Sequence, residues 1–308
     1  MQIRTDLAME SRESAGSMGG VICDRVFHDG IEETRVRVQT ETAARALQKE
    51  IGQYITLSLP DFSHAGAQER KALTETLARS VRELLPPFGD LMIVGLGNRH
   101  MTADALGSRV VDGLMITRHM KGVTPPKLTG RLRGVCAIAP GVLGVTGMET
   151  AEVVLGVMEH VRPAAVIAID ALAARESRRI CTTVQITDTG IRPGSGVGNH
   201  RIGLNRETLG VPVIAVGVPM VVYASVIARD ALSLLMAESG EIADDHEEAM
   251  NAMIGKVVES EMGELVVTPR EVDELLGKVA AVISDALNMA LQPRLTREEI
   301  LLLTHDGL

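Results

Sequence analysis

Asp104 and Asp170 are the two acidic residues whose setting best suits chemistry. Asp104 lies in LGNRHMTADALG, after the apolar run DLMIVG, and Asp170 directly follows AAVIAI. In open α/β sheets, ligands gather outside the carboxyl ends of the strands. Two carboxyl groups sharing a crevice of low polarity do not both ionise readily, so one is held protonated beside a charged partner. Such a pair supplies a general base for water and an acid for a carbonyl oxygen or a leaving amine. Each residue also has a purely structural reading. Asp104 suits a helix start, and Asp170 suits the N-cap of a helix ALAARESRR. Their shared placement at strand ends of one sheet favours chemistry.

Glycine-rich turns accompany these residues. Gly95, Gly97 and Asn98 follow one strand, and residues 190–199, beginning just after Asp188, contain four glycines. Either the glycines meet a need for positive φ, or the backbone there lies close to an extended substrate. The second reading makes Gly97, Asn98, Gly194, Ser195 and Gly196 candidate substrate-binding residues. Several common signatures are absent. Position 100 is His, so the dinucleotide fingerprint begun by Gly95 and Gly97 is incomplete, and no P-loop or HExxH occurs. Ser195 stands in GSG rather than in a nucleophile elbow. The histidines are dispersed without ligand-like spacing.

The elements that must position these residues are legible as short apolar runs. DLMIVGLGN, GVCAIAP, AAVIAID, TTVQITD and VPVIAVGVP are too short for helices and too apolar for exposed strands. They read as buried parallel strands separated by helices, an α/β fold with a mostly parallel central sheet and helices on both faces. Residues 32–39 and 54–59 alternate as half-exposed strands, and 67–85 carry one apolar helical face. Thr146 with Glu149, Thr268 with Glu271 and Pro269, and Thr296 with Glu299 read as helix starts. Residues 241–262 read as a charged helix, and 1–30 as an extended or mobile arm.

Composition narrows the function classes. Aromatics make up 2% of 308 residues, with no Trp, which leaves no platform for stacking bases. The formal net charge is -9, and no basic face is evident. The three cysteines, Cys23, Cys136 and Cys181, are odd in number and widely spaced, which fits a reducing compartment rather than a disulfide framework. No signal core or membrane-length apolar run is present, so the expected location is cytoplasmic.

The stretches MIVGLGN with TADALG, GVCAIAPGVLGVTGMETAE, AAVIAIDALAAR, ITDTGIRPGSGVGN and VPVIAVGVP, with IRTDLA near the start, resemble the germination protease family of spore-forming bacteria. The resemblance implies an atypical aspartic endopeptidase that degrades small acid-soluble spore proteins. It implies a fold similar to hydrogenase maturation peptidases, a homotetramer, residence in the spore core and no cofactor. Motif by motif, the family's catalytic aspartates fall on Asp104 and Asp170. It further implies a self-processing zymogen cut between Asp6 and Leu7, so that residues 1–6 are a propeptide and 7–308 a single α/β peptidase domain with a helical C-terminal part. A chain that retains residues 1–6 then reads as the precursor. The hexamer Thr5-Asp6-Leu7-Ala8-Met9-Glu10 is similar to the substrates' acidic and apolar pattern, as a self-cleaved site should be. Three features depart from the family: a short leader, Arg99-His100 in place of an aromatic residue, and Tyr223 in place of an acidic one.

Two other readings remain open. One is a metal-linked maturation peptidase of the same fold, with His100, His200 or Asp188 reaching a metal in the substrate. The other is a non-enzymatic domain holding a small molecule at residues 95–98. An acidic substrate also calls for a basic subsite, for which Arg99, Arg175 and Arg201 are candidates.

Overall fold

The computed structural model describes residues 5–16, 18–60, 62–122, 128–192, 202–239 and 265–305. Its strands are β1 (Val21–His28), β2 (Ile31–Val38), β3 (Gly52–Ser58), β4 (Leu91–Gly95), β5 (Val135–Ile138), β6 (Ala165–Ala174), β7 (Thr183–Thr187), β8 (Val213–Tyr223) and β9 (Val266–Val267). Its helices are α1 (Ala8–Ala15), α2 (Glu41–Leu47), α3 (Ala67–Leu84), α4 (Leu106–Asp112), α5 (Leu143–Thr146), α6 (Thr150–Val161), α7 (Arg206–Leu209), α8 (Ala224–Ser239), α9 (Val272–Leu291) and α10 (Arg297–His305).

The strands form one sheet in the order β1-β2-β3-β7-β8-β6-β4-β5, with β9 on the end of β8. β5, β4, β6 and β8 run parallel, as expected of apolar runs buried on both faces. TTVQITD departs from that expectation, because β7 pairs antiparallel with both β8 and β3. Beyond it, β3, β2 and β1 continue as an antiparallel wing.

Helices cover both faces. On one, α3, α4 and α9 pack through Leu77, Val81, Leu106, Val110, Ile283 and Leu287 onto Ile93, Ile167 and Val216. On the other, α6 lies over Val94, Val166 and Ala168 through Val154 and Met158. The same face carries Leu172 and Ala174 further along β6, where Leu7, Ala8 and Met9 cover them.

Several local expectations are corrected. Residues 1–30 are not simply an arm: among those described, α1 is docked into the core and β1 is the sheet's edge strand. Asp170 caps no helix, because β6 continues through it to Ala174 and pairs with β8 along the way. α6 begins at Thr150 behind Glu149, whose N–H is accepted by Glu152 at 3.0 Å, while the Thr146 hydroxyl serves the preceding turn. α9 begins behind Glu271, since the Thr268 hydroxyl donates instead to Met220 O at 2.9 Å. Thr296 and Glu299 do form the reciprocal cap of α10, at 3.2 and 2.8 Å. The charged helix expected over 241–262 lies outside the described residues.

Candidate active site

Asp104 is placed by a close meeting of backbones. β4 ends at Gly95, and a Cβ there would come within 2.3 Å of Gly107 O, while one on Gly107 would meet Leu96 N at the same distance. Only glycine at both positions lets α4 press directly against the strand end. Gly97 then turns with φ +94°, and a Cβ on it would fall 2.0 Å from Asp104 O. Asn98 N–H donates to Asp104 Oδ2 at 2.7 Å, and Asn98 Oδ1 in turn accepts from His100 N at 3.0 Å. Asp104 is half-buried, in a 3-10 turn (Thr102–Asp104) just ahead of α4. The helix-start expectation thus holds to within one short turn.

That turn packs against β6 and β8. The chain leaves β4 beside Asp170: Gly95 pairs with Ile169, and Leu96 N donates to Ile169 O at 2.8 Å. Asp170 is 7% exposed, and its Oδ1 accepts from Ala171 N at 2.9 Å. Strand alternation points it to the face of Val166, Ala168 and Leu172. Its partner across the sheet is Gly217, where a Cβ would run into the Leu172 side chain at 2.6 Å. The elements bearing the two expected catalytic residues are therefore in contact, at the carboxyl end of β4.

Asp6 and Leu7 lie on the same side of the sheet. Asp6 pairs with Ala173 like a short extra strand: its N–H donates to Ala173 O at 3.1 Å, and its Oδ2 accepts from Ala173 N at 2.8 Å. Leu7 and Ala8 are fully buried. Glu10 anchors the segment, accepting from Arg175 N at 2.9 Å and Glu176 N at 3.1 Å, with Arg179 Nε 3.2 Å away. The Thr5 hydroxyl bridges, donating to Glu10 while accepting from Leu7 N at 3.0 Å. Burial raises the Glu10 carboxyl above its ordinary value, overcoming the opposing hydrogen bonds and the Arg179 charge.

Two residues that the sequence does not single out meet this segment. Lys49 Nζ lies 2.9 Å from Thr5 O and 3.0 Å from Asp6 O, and Gln185 Nε2 donates to Asp6 O at 3.0 Å. A lone Lys and a lone strand Gln carry no spacing signal, so only the fold reveals them.

Other candidates are engaged elsewhere or fall outside the described residues. Arg99 pairs with Asp112 at 3.2 Å on the surface, and the Arg175 guanidinium bonds to Ser14. Asp188 Oδ1 accepts from Gln53 N at 2.8 Å, which ties the loop to β3. His100 is exposed. Gly194, Ser195, Gly196, His200 and Arg201 lie outside the described residues. Among the described residues, no group of three or more His, Cys, Asp or Glu is placed to hold a metal ion. No helix among them is long and apolar enough to cross a membrane.

Comparison with known proteins agrees over nearly the whole chain. A sequence profile described as germination protease matches residues 2–262. Germination proteases from Clostridium perfringens and Caldanaerobacter subterraneus are 42% and 43% identical, covering 97% and 98% of this chain and 98% of theirs. One from Priestia megaterium is 34% identical, covering 98% of this chain and 97% of its own. Among solved structures, a NiFe hydrogenase maturation protease from Thermococcus kodakarensis aligns with a TM-score of 0.33 and 16% identity, covering 68% of this chain and 98% of that one. With relatives this similar spanning almost every residue, the chain belongs to the germination protease family.

Proposed function

We propose that this protease is a two-aspartate endopeptidase, with Asp104 and Asp170 as the catalytic pair. The observation that carries the reading is the packing of the Asp104 turn against the strand that bears Asp170, at the carboxyl end of a parallel strand. The pair shares a proton. The ionised member takes a proton from water as it attacks the scissile carbonyl, and the protonated member polarises that carbonyl and then protonates the leaving amine. In this reading Gly97, Asn98, Gly194, Ser195 and Gly196 are the substrate-binding residues.

The substrates are small acid-soluble spore proteins in the spore core, and the working form is a homotetramer. The chain is a zymogen that cuts itself between Asp6 and Leu7, releasing residues 1–6 from a single domain of residues 7–308. The docked Asp6–Leu7 bond, on the same sheet face as Asp170, supports this order of events.

The test is to incubate wild type, Asp104→Asn and Asp170→Asn with an acid-soluble spore protein and follow cleavage by mass spectrometry. Asn at 104 keeps an oxygen to accept the Asn98 N–H, so the turn is retained. Both variants should lose at least ~10³-fold in rate, as is usual when an acid–base group is removed. Cleavage at the wild-type rate in either folded variant contradicts the reading.

A further inference from the structure

We propose that Lys49 and Gln185 together hold and polarise the carbonyl of the Asp6–Leu7 bond, as the electrophilic partners of its hydrolysis. This rests on the self-processing reading above. Two N–H donors converge on one oxygen: Lys49 Nζ and Gln185 Nε2 are each 3.0 Å from Asp6 O. The other end of the same glutamine amide accepts the Ala8 N–H at 2.7 Å, so Gln185 brackets the peptide on both sides. Ala173 grips the Asp6 side through N–H and carboxylate, and Leu7 is sealed in the core on the other.

The fold aims both donors. α2 ends at Leu47, and Gln48 takes a left-handed φ of 53°, which swings Lys49 back over the first residues. Gln185 is central in β7 and pairs with Gly217, which pairs in turn with Asp170. Gln185 and Asp170 thus share one row and one face of the sheet. They lie two strands, about 10 Å, apart, with a glycine between them.

In the step itself, the oxygen of water bonds to the Asp6 carbonyl carbon as water gives a proton to the ionised aspartate. The carbonyl oxygen takes on negative charge between Lys49 and Gln185. The C–N bond then breaks, the Leu7 nitrogen leaves with a proton from the protonated aspartate, and Asp6 keeps a new carboxyl group. Donors fixed in advance where charge develops are worth more than donors that must reorganise. Burial lowers the Lys49 pKa, opposed by the charges of Asp6 and Glu10, so Lys49 loses its proton at a lower pH than an ordinary lysine.

The experiment follows release of residues 1–6 by intact mass, over a range of pH, in the full chain and in Lys49→Met, Lys49→Arg and Gln185→Leu. Lys49→Met and Gln185→Leu should each slow release by about 10²-fold, the usual loss for one such donor. Lys49→Arg should recover most of the rate. The wild-type rate should also fall as pH rises through the depressed Lys49 pKa. That alkaline limb should vanish in Lys49→Arg, because arginine keeps its proton throughout. A purely structural anchor would show no such change of pH profile. Wild-type rates in Lys49→Met, or an alkaline limb unmoved in Lys49→Arg, overturn the proposal alone. A wild-type chain that never releases residues 1–6 instead overturns the self-processing reading on which it rests.

Discussion

At the scale of single residues, Gly97 does the most to place Asp104. A side chain at this φ is strained by roughly 1–2 kcal/mol, and here its Cβ would also overlap the Asp104 carbonyl. Gly97→Ala should therefore displace the turn. It should cost more than ~1 kcal/mol in chemical denaturation and about 10²-fold in peptidase rate; a variant with full activity would show that the turn tolerates relaxation. Glu10 gives a prediction in pH. A carboxyl pKa raised in the folded state contributes stability that is complete below the ordinary value of 4.5 and is lost as pH rises through the raised value. Glu10→Gln cannot ionise, so melting curves across this window should show wild type losing ground to the variant as pH increases. Parallel curves for the two proteins would rule this out. Asp104 and Asp170 were legible as residues because each follows an apolar run. Lys49 and Gln185 were not, because their role depends on a segment more than 40 positions away in sequence for one and more than 170 for the other.

At the scale of elements, α9 is the strut behind the catalytic turn. Its Asn288 is 1% exposed, accepting from Met115 N at 2.8 Å and donating to Gly113 O at 3.0 Å, which pins the segment just after α4. Asn288→Leu keeps the branched shape but leaves both backbone groups buried without these partners. It should destabilise by about 2–4 kcal/mol, measured by urea titration. A change below ~0.5 kcal/mol would mean that water replaces the amide. The elements also show where sequence patterns mislead. ALAAR has the composition of a helix, yet Asp170–Ala174 finds a ready partner in β8, and tertiary pairing overrides propensity. TTVQITD reads as a parallel strand yet runs antiparallel to both neighbours, because an apolar run reports burial and not the sense of its neighbours. In sequence the segment around Leu7 to Glu10 reads as part of an arm, since its burial comes from contacts with β2, β3 and β6 rather than from any periodicity of its own.

At the scale of the whole molecule, β1 stands out as an edge strand exposed along nearly its full length. Phe27 is 71% exposed and Val26 56% on a ribbon that, among the described residues, pairs only with β2. Apolar edges of this kind invite pairing with another chain. The tetramer proposed above predicts that Phe27→Glu shifts sedimentation toward smaller species. A variant that sediments as wild type would exclude β1 from the subunit contacts. The sequence disclosed the strand's alternation poorly because neither of its faces is buried within a single chain.

The Thr5 hydroxyl stands between the Leu7 N–H and the Glu10 carboxyl. Sever the chain just ahead of Leu7 and that go-between departs with the fragment. The fresh ammonium is then trapped indoors at the mouth of α1, where a helix least welcomes positive charge. Its natural counter-ion is the Glu10 carboxyl, whose pKa burial raises. The wound would dress itself with an internal ion pair, and the released hexapeptide, diluted into solution, would find its former berth changed in charge.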